Sequence, residues 1–275
     1  MPELIEAQLY ADAAGAAVGA TIGRVELLDA TWVRGGLRGD DLVDALVGRK
    51  ITGVGRHGKV VLLHTDGPTL ALRFGMTGRL LWDERSPVDS LVYGPGRSDE
   101  AWVRFALWMD GDEALPGGRL AVEDARRLGS VELNPDLASL GPDARGLAVE
   151  QLRKLLAGGR GALKSRLMDQ RRLAGLGNLL TDEILWRAGL HPARPSGGLD
   201  RGQVELLAAT MAQVLDQLTA RGGSHLGDLQ PAREEGGRCP IDGALLRRTT
   251  VGGRTSYWCP LHQSPGSNPA SPDRA

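Results

Sequence analysis

Gly175-Leu176-Gly177-Asn178, with Asp169-Gln170 before it and Thr181-Asp182-Glu183 after it, is the stretch on which the fold of this chain turns. Helical stripes flank it on both sides: Leu163 and Leu167 upstream, then Ile184, Leu185 and Ala188 downstream to a stop at Gly189 and Pro192. A glycine-rich turn so placed can serve as an ordinary helix–helix connection that uses Gly for a left-handed residue. It can equally aim the free N–H groups of a helix start outward as a phosphate site, with Asn178 adding its amide. Residue types alone leave both open. Upstream, Val149, Leu152, Leu155 and Leu156 form another helical stripe, stopped by Gly158-Gly159. Downstream, Asp200 with Gln203 three residues on forms a capping box. Leu199 and Val204 stand in staple positions, and Leu207, Met211, Val214 and Leu218 carry that helix to Gly222. The Pro/Gly/Asp-rich segment from Asn134-Pro135 to Gly146 interrupts the pattern, and a domain boundary is expected there.

Before that boundary the texture is different. Residues 3 to about 18 predict a helix, with Leu4, Ile5 and Leu9 on one side and Gly15 and Gly19 weakening its end. From about 21 to 133 short β-like segments follow: Leu62 and Leu63, Thr69 to Phe74, and the alternation of Val103, Phe105, Leu107 and Met109 against Arg104, Ala106 and Trp108. Gly53, Gly55, Gly58, Gly75, Gly78 and Gly117-Gly118 are expected to separate the strands. The fold class predicted is α+β: an N-terminal helix plus β-sandwich over 1–133, a helical domain over 134–235 and a small β-hairpin unit over 236–263. The Ser/Pro/Asn-rich tail 264–275 is expected to be disordered.

The chain has 275 residues, 41% hydrophobic and 24% charged, which suits a globular protein with real cores. No apolar run reaches membrane-spanning length, and no basic stretch followed by an apolar one opens the sequence. A cytoplasmic protein, neither secreted nor membrane-embedded, is therefore expected. A net charge of −1 excludes a global basic field, so any nucleic-acid face must come from local arginines. Only Lys50, Lys59, Lys154 and Lys164 are lysines, which makes each of them more informative than usual.

Three further stretches carry chemistry. Removal of Met1 would leave Pro2 with a free secondary amine beside Glu3. An α-amino group titrates about two units below a lysine, so its nucleophilic fraction at neutral pH is roughly two orders of magnitude larger. The structural alternative is that Pro2 and Glu3 merely suit the first turn of a helix. Arg56-His57-Gly58-Lys59 puts a point charge at the edge of a strand, where a phosphate could approach or water could solvate it. Cys239-Pro240-Ile241-Asp242 and Cys259-Pro260-Leu261-His262 frame a predicted hairpin with strands Leu245 to Thr250 and Arg254 to Trp258. Two such knuckles match zinc-ribbon spacing, with Cys239, Asp242, Cys259 and His262 as ligands. The alternative is a metal-free hairpin held by Trp258, Tyr257 and Leu245.

Taken together and in order, these stretches resemble the formamidopyrimidine-DNA glycosylase and endonuclease VIII family of base-excision repair enzymes. Met1-Pro2-Glu3-Leu4 with Glu6, then Gly58-Lys59, resemble its N-terminal signature and its strand-borne lysine. Leu167-Met168-Asp169-Gln170 through Gly177-Asn178 to Asp182-Glu183-Ile184-Leu185 resembles its helix–two-turn–helix, and Gly253-Arg254-Thr255 before Cys259-Pro260 resembles its hairpin finger. The resemblance implies a monomeric, nucleoid-associated enzyme acting on double-stranded DNA with an oxidised base or abasic site. In it Pro2 attacks the sugar, Glu3 transfers a proton, and Lys59, Asn178 beside Gly177, and Arg254 grip phosphates. It further implies that Met76 fills the vacated space in the duplex, that Arg126 and Leu128 probe the orphaned base, and that zinc sits in the finger. Ile5, Ala7 and Gln8 depart from the usual signature, Leu128 replaces an aromatic wedge, and Asp242 and His262 replace cysteines. The segment from Gly222-Gly223-Ser224 to Cys239 is also short, which weighs against a dedicated oxidised-guanine enzyme. A rival expectation is a damage- or abasic-site-binding relative without base excision.

Overall fold

The computed structural model describes residues 2–111 and 117–263; Met1 and the expected disordered tail lie outside them. The chain forms two compact units, Met1–Gly141 with Leu218–His225, and Pro142–Gln217 with Leu226–Ala275. Residues 134–141 thus group with the first unit, and the hairpin region 236–263 groups with the helices of the second.

The first unit opens with α1 (Leu4–Ala14), which a 3-10 turn (Gly15–Ala17) continues. This helix is not one-sided. Leu4, Ile5, Ala7, Tyr10, Ala11 and Ala14 are all buried, because its alanines and its tyrosine let it sink against neighbouring strands. The strands are β1 (Thr21–Leu27), β2 (Ile51–His57), β3 (Val60–Thr65), β4 (Thr69–Arg73), β5 (Arg79–Trp82), β6 (Val103–Asp110), β7 (Gly118–Glu123) and β8 (Ser130–Leu133). Among the described residues they make two four-stranded antiparallel sheets, ordered β1-β6-β7-β5 and β2-β3-β4-β8. One core takes Ile22, Phe105, Leu107 and Val122 from the first sheet, Val61, Leu63, Leu70 and Leu72 from the second, and Ala7, Tyr10 and Ala14 from α1.

Three local expectations need correction. The alternation along β6 breaks at a bulge between Val103 and Phe105, so Val103 joins Ala106 and Ala121 in a separate cluster while Phe105, Leu107 and Met109 enter the main core. A helix, α2 (Gly39–Leu46), lies inside the stretch read as all β. Its Leu42 and Leu46, one turn apart, are buried, but eight residues are too few for a clear helical period. Gly53 and Gly55 do not separate strands; they lie within β2, where the imidazole of His64 covers them. A Cβ on Gly55 would meet His64 Nε2 at 3.3 Å.

The second unit holds α3 (Val149–Leu156), α4 (Leu163–Met168), α5 (Asn178–Arg187) and α6 (Arg201–Arg221) as far as Gln217, its last turn grouping with the first unit, then β9 (Arg247–Val251) paired antiparallel with β10 (Arg254–Trp258). Leu207, Met211 and Val214 of α6 are buried. The capping box at its start is formed as the sequence predicts: Gln203 N–H donates to Asp200 Oδ1 at 2.9 Å and Asp200 N–H to Gln203 Oε1 at 3.1 Å. Among the described residues no helix is long and apolar enough to cross a membrane.

Candidate functional site

In the first unit, the N-terminus is held by side chains. Glu3, fully buried, is the residue before α1, and its N–H donates to Glu6 Oε2 at 2.7 Å. The other oxygen of Glu6 accepts from both the N–H and the hydroxyl of Ser224, each at 2.6 Å. The carboxylate of Glu6 therefore takes three donors, and through it Glu3, next to Pro2, is tied to a residue 218 positions away from Glu6. Lys59 lies in the two-residue turn Gly58-Lys59 between β2 and β3, with Gly58 left-handed at φ +58°. Arg56 braces that turn, donating to Gly58 O at 2.7 Å and to Gln8 of α1 at 3.0 Å.

Met76, Arg126 and Leu128 come from two loops that are packed together. A Cβ on left-handed Gly75 would lie 2.5 Å from the Leu128 carbonyl carbon, so glycine is required at that approach. Asp124, completely buried, is the hub of both loops. Its Oδ1 accepts from the Thr77 hydroxyl at 2.6 Å and its Oδ2 from Gly129 N–H at 2.7 Å, with longer contacts from Arg126 N–H and Trp32 Nε1–H. Leu128 is left 49% exposed beside them, an apolar side chain presented to solvent by polar scaffolding. Arg127, in a left-handed conformation between Arg126 and Leu128, donates to Asp29 at 2.6 Å. That guanidinium holds the Asp29 carboxyl down to about 2. The hub was not legible in the sequence, since its donors lie up to 92 residues away.

In the second unit, Gly177 precedes α5 and Asn178 opens it. Gly175 is left-handed at φ +115°, and the amide of Gln170 clamps the turn through Met168 O, Leu176 O and Gly175 N–H at 2.8 to 3.0 Å. The turn is thus a left-handed connection that leads directly into the start of α5 at Asn178. Asn178 is 7% exposed, and its side-chain oxygen has no hydrogen-bond partner among the described residues. Gly252 and Gly253, at φ +58° and +73°, form a two-residue hairpin turn of the kind that suits two positive dihedrals. Val251 belongs to the strand, one residue beyond its expected end, and exposed Arg254 follows the turn directly.

Cys239, Asp242, Cys259 and His262 present one ligand atom each, all within 4.8 Å of one another. Cys259 Sγ lies 3.1 Å from Asp242 Oδ2, and His262 Nδ1 lies 2.6 Å from the same oxygen and 3.8 Å from Cys239 Sγ. Tetrahedral zinc with bonds of about 2.0–2.3 Å would set its ligands roughly 3.3–3.8 Å apart, so small adjustments suffice. The donor set fits the metal: two thiols, a carboxylate and an imidazole. His262 Nε2 is 3.2 Å from the Trp186 carbonyl, an acceptor for its N–H in the tautomer that would turn the Nδ1 lone pair to a bound metal. The indole N–H of Trp186 donates to Cys239 Sγ at 3.3 Å, so this α5 residue touches two of the four ligands. Burial pushes the Cys259 thiol up to about 11, and a cation is what would make it a thiolate here. Leu245, expected to help hold a metal-free hairpin, is exposed and outside the strand pairing.

Comparison with known proteins gives a consistent picture. Residues 1–131 match the family model for the formamidopyrimidine-DNA glycosylase N-terminal domain, and residues 139–229 match that for the formamidopyrimidine-DNA glycosylase H2TH domain. The chain is 35% identical to a formamidopyrimidine-DNA glycosylase of Roseiflexus sp. (strain RS-1), over 94% of this chain and 98% of that protein. It is 34% identical to the enzyme of the same name from Paracoccus denitrificans (strain Pd 1222), over 81% and 86%. Among solved structures it is similar in fold to Lactococcus lactis Fpg in complex with an abasic site containing DNA, with a TM-score of 0.79 at 23% identity over 95% of this chain and 99% of that one. The same protein with a Fapy-dG containing DNA gives a TM-score of 0.79 at 23% identity, over 95% and 100%.

Proposed function

The chain belongs to the formamidopyrimidine-DNA glycosylase family, and on that premise we propose that it is a bifunctional DNA glycosylase and abasic-site lyase acting on oxidised bases in double-stranded DNA. The observation that carries this reading is the capture of the N-terminus by Glu6 and Ser224, which keeps Pro2 beside a buried Glu3. With Met1 removed, the Pro2 nitrogen attacks C1′ of the extruded nucleotide. A new N–C bond forms as the glycosidic bond breaks, and the base leaves with a proton. Glu3 gives a proton to the ring oxygen, the sugar opens, and a charged imine joins Pro2 to C1′. Loss of the acidified C2′ proton expels the 3′ phosphate by β-elimination, and δ-elimination then expels the 5′ phosphate.

The other residues bind and orient. Lys59, Asn178 at the Gly177 helix start and Arg254 at the hairpin turn contact phosphates, Met76 and Leu128 enter the space left by the flipped nucleotide, and Arg126 faces the orphaned base. Cys239, Asp242, Cys259 and His262 hold one zinc ion, which when bound ties together the base of the hairpin. Departures of the finger from an all-cysteine set favour the second reading, a binder of damaged sites without base excision. The two are separated by incubating the protein with an oligonucleotide holding one abasic site in the presence of borohydride. A covalent protein–DNA adduct is expected. Tight binding with no adduct would overturn the lyase.

A further inference from the structure

Lys164 is one of four lysines in the chain, is fully buried, and plays no part in the reaction described above. Its ammonium has three N–H donors. Three acceptors face it: Asp182 Oδ1 at 2.7 Å, Ser256 Oγ at 2.7 Å and the Thr255 carbonyl at 2.9 Å. Two of these belong to β10, directly after Arg254. Asp182, on α5 one helical turn after Asn178, uses its other oxygen to accept from Tyr257 N–H of β10 at 3.3 Å and from Arg233. The next residue of α4 completes the seat. A Cβ on Gly252 would lie 2.2 Å from Ser165 Oγ and 3.1 Å from its Cβ, so the hairpin turn rests against the Ser165 side chain of α4. Lys164 and Ser165 therefore hold both sides of Arg254, the turn before it and the strand after it. The metal ligands Cys239 and Cys259 lie at the other end of the hairpin, so the tip has an anchor of its own.

We infer that Lys164, with Asp182, is a positioning residue: it locks the Arg254 strand to α4 and α5 and so sets where that guanidinium meets the DNA backbone relative to Asn178. A buried ammonium is costly unless each donor is matched, and here its acceptors are shared between the hairpin and the helix that carries Asn178. Detaching β10 would leave the ammonium short of two acceptors, so the strand is held in register.

This inference rests on the reading of Arg254 as a phosphate contact, and the test separates the two. Binding to a duplex with a tetrahydrofuran abasic analogue is measured over a salt series for the full chain and for Arg254→Ala, Lys164→Met and the double variant, with hydrogen exchange on each free protein. Arg254→Ala should lower the salt slope by about 1. Lys164→Met should lower it equally, the double variant should be no worse than Arg254→Ala, and the amides of β10 should lose protection in Lys164→Met while those of α6 keep theirs. Additive losses in the double variant, or β10 protection unchanged, overturn the inference. A wild-type slope in Arg254→Ala overturns the phosphate reading instead, and β10 exchange in Lys164→Met then decides the anchoring alone. Should Lys164→Met fail to fold, Ser256→Ala removes one acceptor and leaves the ion pair intact. The same loss of β10 protection, smaller in size, is then expected, and its absence would count against the anchor.

Discussion

Replacing Asp124 tests how the two probe loops of the first unit are held. The carboxylate is completely buried and receives two short hydrogen bonds, from the Thr77 hydroxyl at 2.6 Å and Gly129 N–H at 2.7 Å, plus contacts at 3.3 and 3.4 Å from Arg126 N–H and Trp32 Nε1–H. A buried donor left without its acceptor costs about 1–3 kcal/mol, and the two weaker contacts add less. Asp124→Ala should therefore cost about 3–5 kcal/mol. Asp124→Asn should cost less, because the Thr77 hydroxyl can rotate to accept from the new NH2 group while the remaining oxygen serves Gly129. Thr77→Val removes one donor with its bond and should cost about 1 kcal/mol. The measurement is urea unfolding followed by tryptophan fluorescence, since Trp32 contacts the site. With a slope near 2 kcal/mol/M, the alanine variant should lose roughly 1.5–2.5 M in midpoint at constant slope. The Thr77→Val and Asp124→Asn losses should be less than additive. A loss below about 1 kcal/mol for Asp124→Ala would refute the hub, because two buried donors cannot go unmatched at so small a cost. The same variant should also blunt any response of a fluorescent base placed opposite the lesion, as Met76 and Leu128 lose their common support.

The remaining expectations concern chemistry, metal and pH. Pro2→Gly and a form retaining Met1 should both lose borohydride-trapped adduct, and undiminished trapping in both would move the nucleophile elsewhere, with Lys59 the first suspect. Glu3→Gln should bind damaged duplex as wild type yet fail to excise an intact damaged base; an equal loss of binding would make Glu3 structural. Elemental analysis of protein purified without chelator should give one zinc per chain. Cobalt substitution should show thiolate-to-metal charge transfer that weakens in Trp186→Phe, which removes the indole N–H from Cys239, and an unchanged spectrum and affinity would set Trp186 aside. Asp29 is held at about 2 by Arg127 against an ordinary 3.8, so its contribution is fully present above about pH 4 and is lost as pH falls towards 2. Because Arg127 is largely exposed, that contribution should amount to about 1 kcal/mol or less, and Asp29→Asn should flatten the acid limb of the stability profile.

What could be read from residues alone was whatever depends on near neighbours. The capping box of Asp200 and Gln203, the Gly252-Gly253 turn and the knuckles of Cys239/Asp242 and Cys259/His262 rest on spacings of one to three residues, and local dihedral and hydrogen-bond rules suffice for them. The order of the motifs was legible for the same reason, as each is a short stretch. Tertiary structure decided what depends on partners far along the chain. Gly53 and Gly55 look like turn residues until the pairing of β2 with β3 lays His64 over them. Glu6 enters the sequence reading only as part of the N-terminal signature, and the folded chain brings Ser224, 218 residues away, to donate to it twice. Lys164 stands out in the sequence only as one of four lysines, and the meeting of α4, α5 and β10 is what buries it against three acceptors. A charge is stable in a core only where its donors or acceptors converge, and that convergence is a property of the folded chain, with no counterpart in the spacing of its sequence.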